Sequence, residues 1–175
     1  MNNYDWTNKF RQLYDKAVKL YTGGNRQPAT YFTADETAFL AGIGHTAQEM
    51  YDFAEDAVKY NEPSFGDALL TASVRRDYFL VIQKGKLSGR TIRMEDLPAK
   101  TAAVEGFAWL PRIIAKARAK LRGEMPADLM FGCGGDRNFL KSVNIHPADF
   151  LRYVWAAGDD DRKIIAYVKQ QAGRA

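Results

Sequence analysis

Phe39-Leu-Ala-Gly-Ile-Gly-His-Thr-Ala-Gln-Glu-Met50 reads as the end of one helix, a glycine stop and the start of the next. Gly44 suits the left-handed residue that closes a helix, because it has no Cβ to clash there. Thr46 and Glu49 have capping-box spacing: the hydroxyl accepts from the N–H three residues on, and the carboxylate reaches back. Met50, Phe53 and Ala57 then keep a helical step. A similar pattern recurs at the other end, with few identical residues. Phe139-Leu-Lys-Ser-Val-Asn-Ile-His-Pro-Ala-Asp-Phe150 aligns on it without gaps, with Ile43 on Val143, Gly44 on Asn144 and Glu49 on Asp149. Each copy follows a longer helix ending in glycine, at Gly23 and Gly123. The match stands either for two similar helical halves or for two unrelated corners that obey the same capping rules.

Outward from these corners, helical signals continue almost throughout. Trp6, Phe10, Leu13, Ala17, Leu20 and Tyr21 recur at steps of three or four until Gly23-Gly24. Thr33 with Glu36 predicts a capped helix carrying Phe39 and Leu40. Ser64 with Asp67 predicts another, carrying Leu69, Ala72, Phe79 and Ile82 to Lys84-Gly85. Its tail, Tyr78 to Ile82, has strand composition but keeps the helical step. Leu110-Pro111 places proline in a first turn, where its missing N–H does no harm. Asp136, His146-Pro147 and Asp159-Asp-Asp161 predict three further helix starts. The expected fold is all-α, a compact multi-helix bundle in a single helical domain, 1–175. Its candidate halves are 1–84 and 110–175, joined by a connector over 85–109.

Composition bounds the function. The 175 residues are 46% hydrophobic and 26% charged, an ordinary globular balance. A net charge of +4 is a mild basic bias and disfavours a dedicated nucleic-acid binder. One cysteine excludes an internal disulfide and suits a reducing interior. The start lacks a secretory pattern, and no apolar run approaches the ~20 residues of a membrane span. The expectation is a cytoplasmic protein with no membrane partner.

Candidate chemistry gathers in the second half. Trp109-Leu-Pro-Arg-Ile-Ile-Ala-Lys-Ala-Arg-Ala-Lys-Leu-Arg-Gly123 holds five basic residues and no acid. On a helix, Ile113, Ile114, Ala117 and Leu121 form the core side. Arg112, Lys116 and Lys120 line one edge, Arg118 and Arg122 the other, and Ala115 and Ala119 lie between. That predicts a shallow trough with cationic walls, unless Asp52, Glu55, Asp56 or Asp159 to Asp161 neutralise it.

Gly132-Cys-Gly-Gly-Asp-Arg137 follows. Its glycines let backbone approach a ligand, and a loop entering a helix start presents N–H groups to an anion. Cys133, near that start and Arg137, is the candidate nucleophile, with His146 or His45 as base. Against this stands a buried cysteine in a tight turn, with Asp136 as helix cap. The ligand-binding candidates are Arg112, Lys116, Arg137, Asp136 and Gly134. Asp52, Glu55 and Asp56 with His45 make no strong metal motif and read as a solvated acidic face, so no metal is expected. Arg75-Arg76-Asp77-Tyr78 interrupts an apolar helix. Either the arginines snorkel to the surface, or one holds a buried acid or a ligand carboxylate.

From Trp109 onward the chain resembles the family known as domain of unknown function 5069, found in bacterial proteins. The residues that carry this are Leu110-Pro-Arg112, Lys116-Ala-Arg-Ala119, Gly123, Cys133, Asp136-Arg137, Phe139-Leu140, the corner ending in Ile145 and the acidic turn before Ile164. The first half is similar to the N-terminal region of longer members through Phe39-Leu40, Gly44, Tyr51-Asp52, Glu55-Asp56, Pro63-Ser64 and Arg75-Arg-Asp-Tyr78. Shorter members carry a proline turn after the cysteine, where Gly134-Gly135 stand here. The resemblance implies a compact bacterial helical protein and no assigned activity, cofactor or catalytic residue. The residues favour an anionic small molecule held by the basic helix and glycine loop, whether or not a reaction follows. The alternative is an interaction or scaffold module that docks an acidic partner or a second copy; nucleic-acid binding ranks third.

Overall fold

The computed structural model describes residues 3–173. The chain divides into two compact units, Met1–Leu87 and Ser88–Ala175. The first holds α1 (Trp6–Thr22), α2 (Ala34–Gly42), α3 (Ala47–Tyr60) and α4 (Phe65–Val81), with a one-turn 3-10 helix at Pro28–Thr30. Helix α1 turns Phe10, Leu13, Ala17 and Tyr21 inward, as its apolar step requires. It packs chiefly on α3, whose Met50, Phe53 and Ala54 are buried. All three capping boxes form, at Thr33/Glu36, Thr46/Glu49 and Ser64/Asp67. Tyr78 to Val81 are helical, so packing overrides their strand composition.

The second unit begins with irregular chain. Ser88 Oγ donates to Glu124 Oε1 at 2.6 Å, and Ile92 N donates to Glu124 O at 2.9 Å. A two-residue hairpin follows, β1 (Ala103–Val104) paired antiparallel with β2 (Phe107–Ala108). Its turn residues, Glu105 and Gly106, both have positive φ, 50° and 77°. That conformation matches the twist of paired strands. Two strand residues a side are too few to show in the sequence. Then come α5 (Leu110–Arg122), α6 (Gly134–Ser142), α7 (Pro147–Ala157) and α8 (Asp161–Gln171). So residues 88–109 fold as part of the second unit.

The two units follow one plan, at an offset of 100 in residue number up to the starts of α3 and α7. Helices α2 and α6 have nine residues each and start from Thr33 and Cys133, with ψ 170° at both. They end at Ile43 (φ −109°) and Val143 (φ −112°). Left-handed residues follow, Gly44 at φ 73° and Asn144 at φ 55°. Leu13 and Ile113, Ala17 and Ala117, Leu40 and Leu140, and Met50 and Phe150 are buried pairwise. The agreement reaches well beyond the corners that the sequence aligns.

Candidate functional site

Three side chains meet at the start of α6. Lys116, on the core side of α5, is 2% exposed, and Asp136 is 0% exposed. Lys116 Nζ donates to Asp136 Oδ2 at 2.5 Å and to Cys133 Sγ at 3.2 Å. Asp136 also accepts from Gly132 N (2.9 Å) and from Trp109 Nε1 (2.8 Å). A buried carboxylate with three donors, one of them a cation, is fully satisfied. Cys133 is half-buried and has no disulfide partner. Its sulfur accepts from Lys116 and makes no cap hydrogen bond to α6.

This geometry corrects several sequence expectations. The cap of α6 is Cys133, and Asp136 sits in the first turn with its side chain turned inward. Gly135 serves packing: a Cβ there would stand 2.6 Å from Trp109 Cζ2. Gly134 has no such neighbour closer than Arg137 Nη2 at 4.0 Å. The edge of α5 that carries Arg112, Lys116 and Lys120 is buried, and so is Ala119, so the trough does not lie open. Arg112 Nη1 donates to Pro98 O at 2.8 Å, and Arg137 Nη1 donates to Gly132 O at 2.6 Å. On the other edge, Arg118 pairs with Asp161 (2.6 Å) and Arg122 with Asp159 (3.3 Å). Thus Asp159 and Asp161 neutralise one wall.

His146 Nδ1 accepts from Ala148 N and caps α7. His45 is buried, with Nε2 3.3 Å from Ala72 O and Nδ1 3.4 Å from Glu49 Oε2. Asp52 takes a bond from Gln48 Nε2, and Glu55 from Tyr21 and Lys59. Among the described residues, no group of three His, Cys, Asp or Glu side chains is placed to hold a metal. Sequence reading missed Trp109 as a site residue, although an indole N–H in a buried setting demands an acceptor.

The first unit carries the same constellation in structural form. Lys16, Thr33 and Glu36 stand at the positions of Lys116, Cys133 and Asp136. Thr33 Oγ1 accepts from Glu36 N (3.3 Å), and Glu36 Oε2 accepts from Thr33 N (2.8 Å) and Lys16 Nζ (2.6 Å). The Lys16 hydrogen bond, with that from Thr33 N, holds the Glu36 carboxyl below the ordinary glutamate value. A depressed acid stabilises the fold above its unfolded pKa, and that contribution fades as pH falls through the lower folded value. Glu36→Gln should therefore flatten the acid limb of the stability profile, read from urea melts between pH 6 and about pH 3.

The second unit is thus a helical unit in which a buried lysine–carboxylate pair presses an ammonium against a thiol at a helix start. Residues 95–175, most of that unit, match the family model described as a domain of unknown function (DUF5069), and the chain is similar to that family there. No curated protein and no solved structure matches the chain. Among the described residues, no helix is long and apolar enough to cross a membrane.

Proposed function

We propose that the second unit binds a small anionic molecule at the start of α6, with Cys133 as its reactive group. One observation carries this reading. Where the first unit has a threonine whose hydroxyl caps its helix, the second has a cysteine at the cap position whose sulfur makes no cap hydrogen bond and touches a buried ammonium at 3.2 Å. Threonine is a good cap and cysteine is not among the preferred ones. As a cap, the thiol therefore offers nothing that Thr33 does not supply better in the other unit. An ammonium fixed beside sulfur, with the N–H groups of α6 behind it, favours an anionic ligand drawn in next to the thiol. Lys116 orients and stabilises, Asp136 fixes Lys116, and Trp109 fixes Asp136. Gly134 leaves the backbone beside the sulfur uncovered. A cytoplasmic, reducing setting would keep the thiol competent.

Charge-selective alkylation tests this. Cys133 should prefer anionic iodoacetate over neutral iodoacetamide by about tenfold relative to a small thiol, since 1.4 kcal/mol of favourable charge contact is tenfold. Cys133→Thr should abolish labelling and restore a cap worth about 0.5–2 kcal/mol. Small phosphates and carboxylates at constant ionic strength should slow labelling. An inert thiol in the folded chain, or no preference between the reagents, would end this reading.

A further inference from the structure

The first unit buries a cation that is only partly hydrogen-bonded, although the charge of Glu49 acts on it. Arg75 on α4 is 0% exposed and is among the largest fully buried side chains. Its Nη1 donates to Gln83 Oε1 at 2.7 Å, and its Cζ lies 5.3 Å from the Phe79 ring centroid. Its Nε and Nη2 have no acceptor among the described residues. Those two atoms form one side of the planar guanidinium. Their parallel N–H bonds match the two oxygens of a carboxylate. Leaving two donors of a buried charge unmade is a heavy penalty that interiors normally avoid.

The second unit shows the apolar solution to the same packing problem. Measured from the caps Ser64 and Asp160, Ala68 and Ala72 of α4 correspond to Ile164 and Val168 of α8. All four are buried. Arg75 then corresponds to Gln171, which is exposed, and His45 corresponds to the buried Ile145. So one unit closes its corner with branched aliphatic side chains, and the other keeps small residues, a histidine and an arginine. Gly44 completes the arrangement, because a Cβ there would stand 3.1 Å from Arg75 Cζ.

We infer that the Nε–Nη2 edge of Arg75 is a receptor for the carboxylate of a small ligand, held between the α2–α3 corner and α4. This site is separate from Cys133 and does not rest on it. The planar, two-point match selects a carboxylate over a spherical or tetrahedral anion. Leu80, Val81 and Ile82 are exposed at the end of α4, beside the turn that carries Gln83, and a ligand would enter from that side.

The test is a titration of the full chain with sodium formate at constant ionic strength, read on the Arg75 Nε–H resonance by nitrogen-edited NMR. Arg75→Lys identifies the resonance by its loss. Formate should shift it saturably, phosphate more weakly, and chloride not at all. A saturable rise in Tm with formate should accompany the shift, and Arg75→Met should weaken it about thirtyfold or more, as for truncating one side of a buried charged pair. Gln83→Ala removes only the acceptor of Nη1, at a half-buried site, and leaves the Nε–Nη2 edge as it is, so it should fold and still bind formate. An Nε–H resonance that ignores formate in both the wild type and Gln83→Ala, or that answers chloride or phosphate as strongly as formate, overturns the inference.

Discussion

Lys116→Met should be the most damaging single substitution in the second unit, lowering its stability by about 3–5 kcal/mol. The reason is what stays behind. Asp136 is wholly enclosed, and without Lys116 its charge keeps only the neutral N–H groups of Trp109 and Gly132. For a unit of this size each kcal/mol moves Tm by about 4–8 °C, so the transition should fall by more than roughly 12 °C. The pair itself need not stabilise the fold. Ion pairs in interiors are often no better than apolar residues of the same volume, while half a pair is costly. Lys116→Met with Asp136→Asn, which removes both charges, should therefore regain at least half of the loss. Thermal melts of the two variants decide it. A single variant no worse than exposed Lys163→Met would mean that the carboxylate finds solvent and that the ammonium is not fixed beside Cys133. Below its lowered transition, Lys116→Met should also lose the preference of Cys133 for iodoacetate, which separates the pull of the ammonium on the reagent from simple unfolding.

The corners were readable because capping is local chemistry. Thr33/Glu36, Thr46/Glu49 and Ser64/Asp67 each place the partners of a box three residues apart, and all three form. Asp136 misled because the reading gave the cap to the residue best suited to it. In the fold, Lys116 and Trp109 claim that carboxylate from a distance in sequence, and the cap falls to Cys133. The basic edge of α5 failed for a similar reason. A helical wheel knows one helix and not what lies over it. Here Pro98 O takes Arg112, and Asp136 in the first turn of α6 takes Lys116. Of the two readings open for the arginine pair, snorkelling does not hold for Arg75, because the missing Cβ of Gly44 leaves room to bury a guanidinium. Cys133 was singled out by type and by neighbouring glycines; its contact with Lys116 needed the fold.

Gly44→Ala should destabilise the first unit by about 2–5 kcal/mol, whereas Asn144→Ala at the matching corner should destabilise the second by only about 1 kcal/mol. Both positions are left-handed, φ 73° and 55°. That backbone disfavours alanine by about 1–2 kcal/mol wherever it occurs, and asparagine tolerates it. At Gly44 a second penalty is added. The new Cβ would lie 2.8 Å from both Cβ and Cγ of Phe79, a side chain that is itself buried. Overpacking of this kind typically adds about 1–3 kcal/mol, because a ring root cannot move without its helix. Asn144→Gly is the control and should be nearly neutral, since glycine accepts the conformation freely. Urea melts of the three variants measure the difference. Gly44→Ala should also blunt the formate response of Arg75, because the same Cβ presses on its guanidinium carbon at 3.1 Å. Equal losses at the two corners would mean that backbone conformation alone sets the penalty and that Phe79 and Arg75 give way without resistance, which a tightly held carboxylate receptor does not allow.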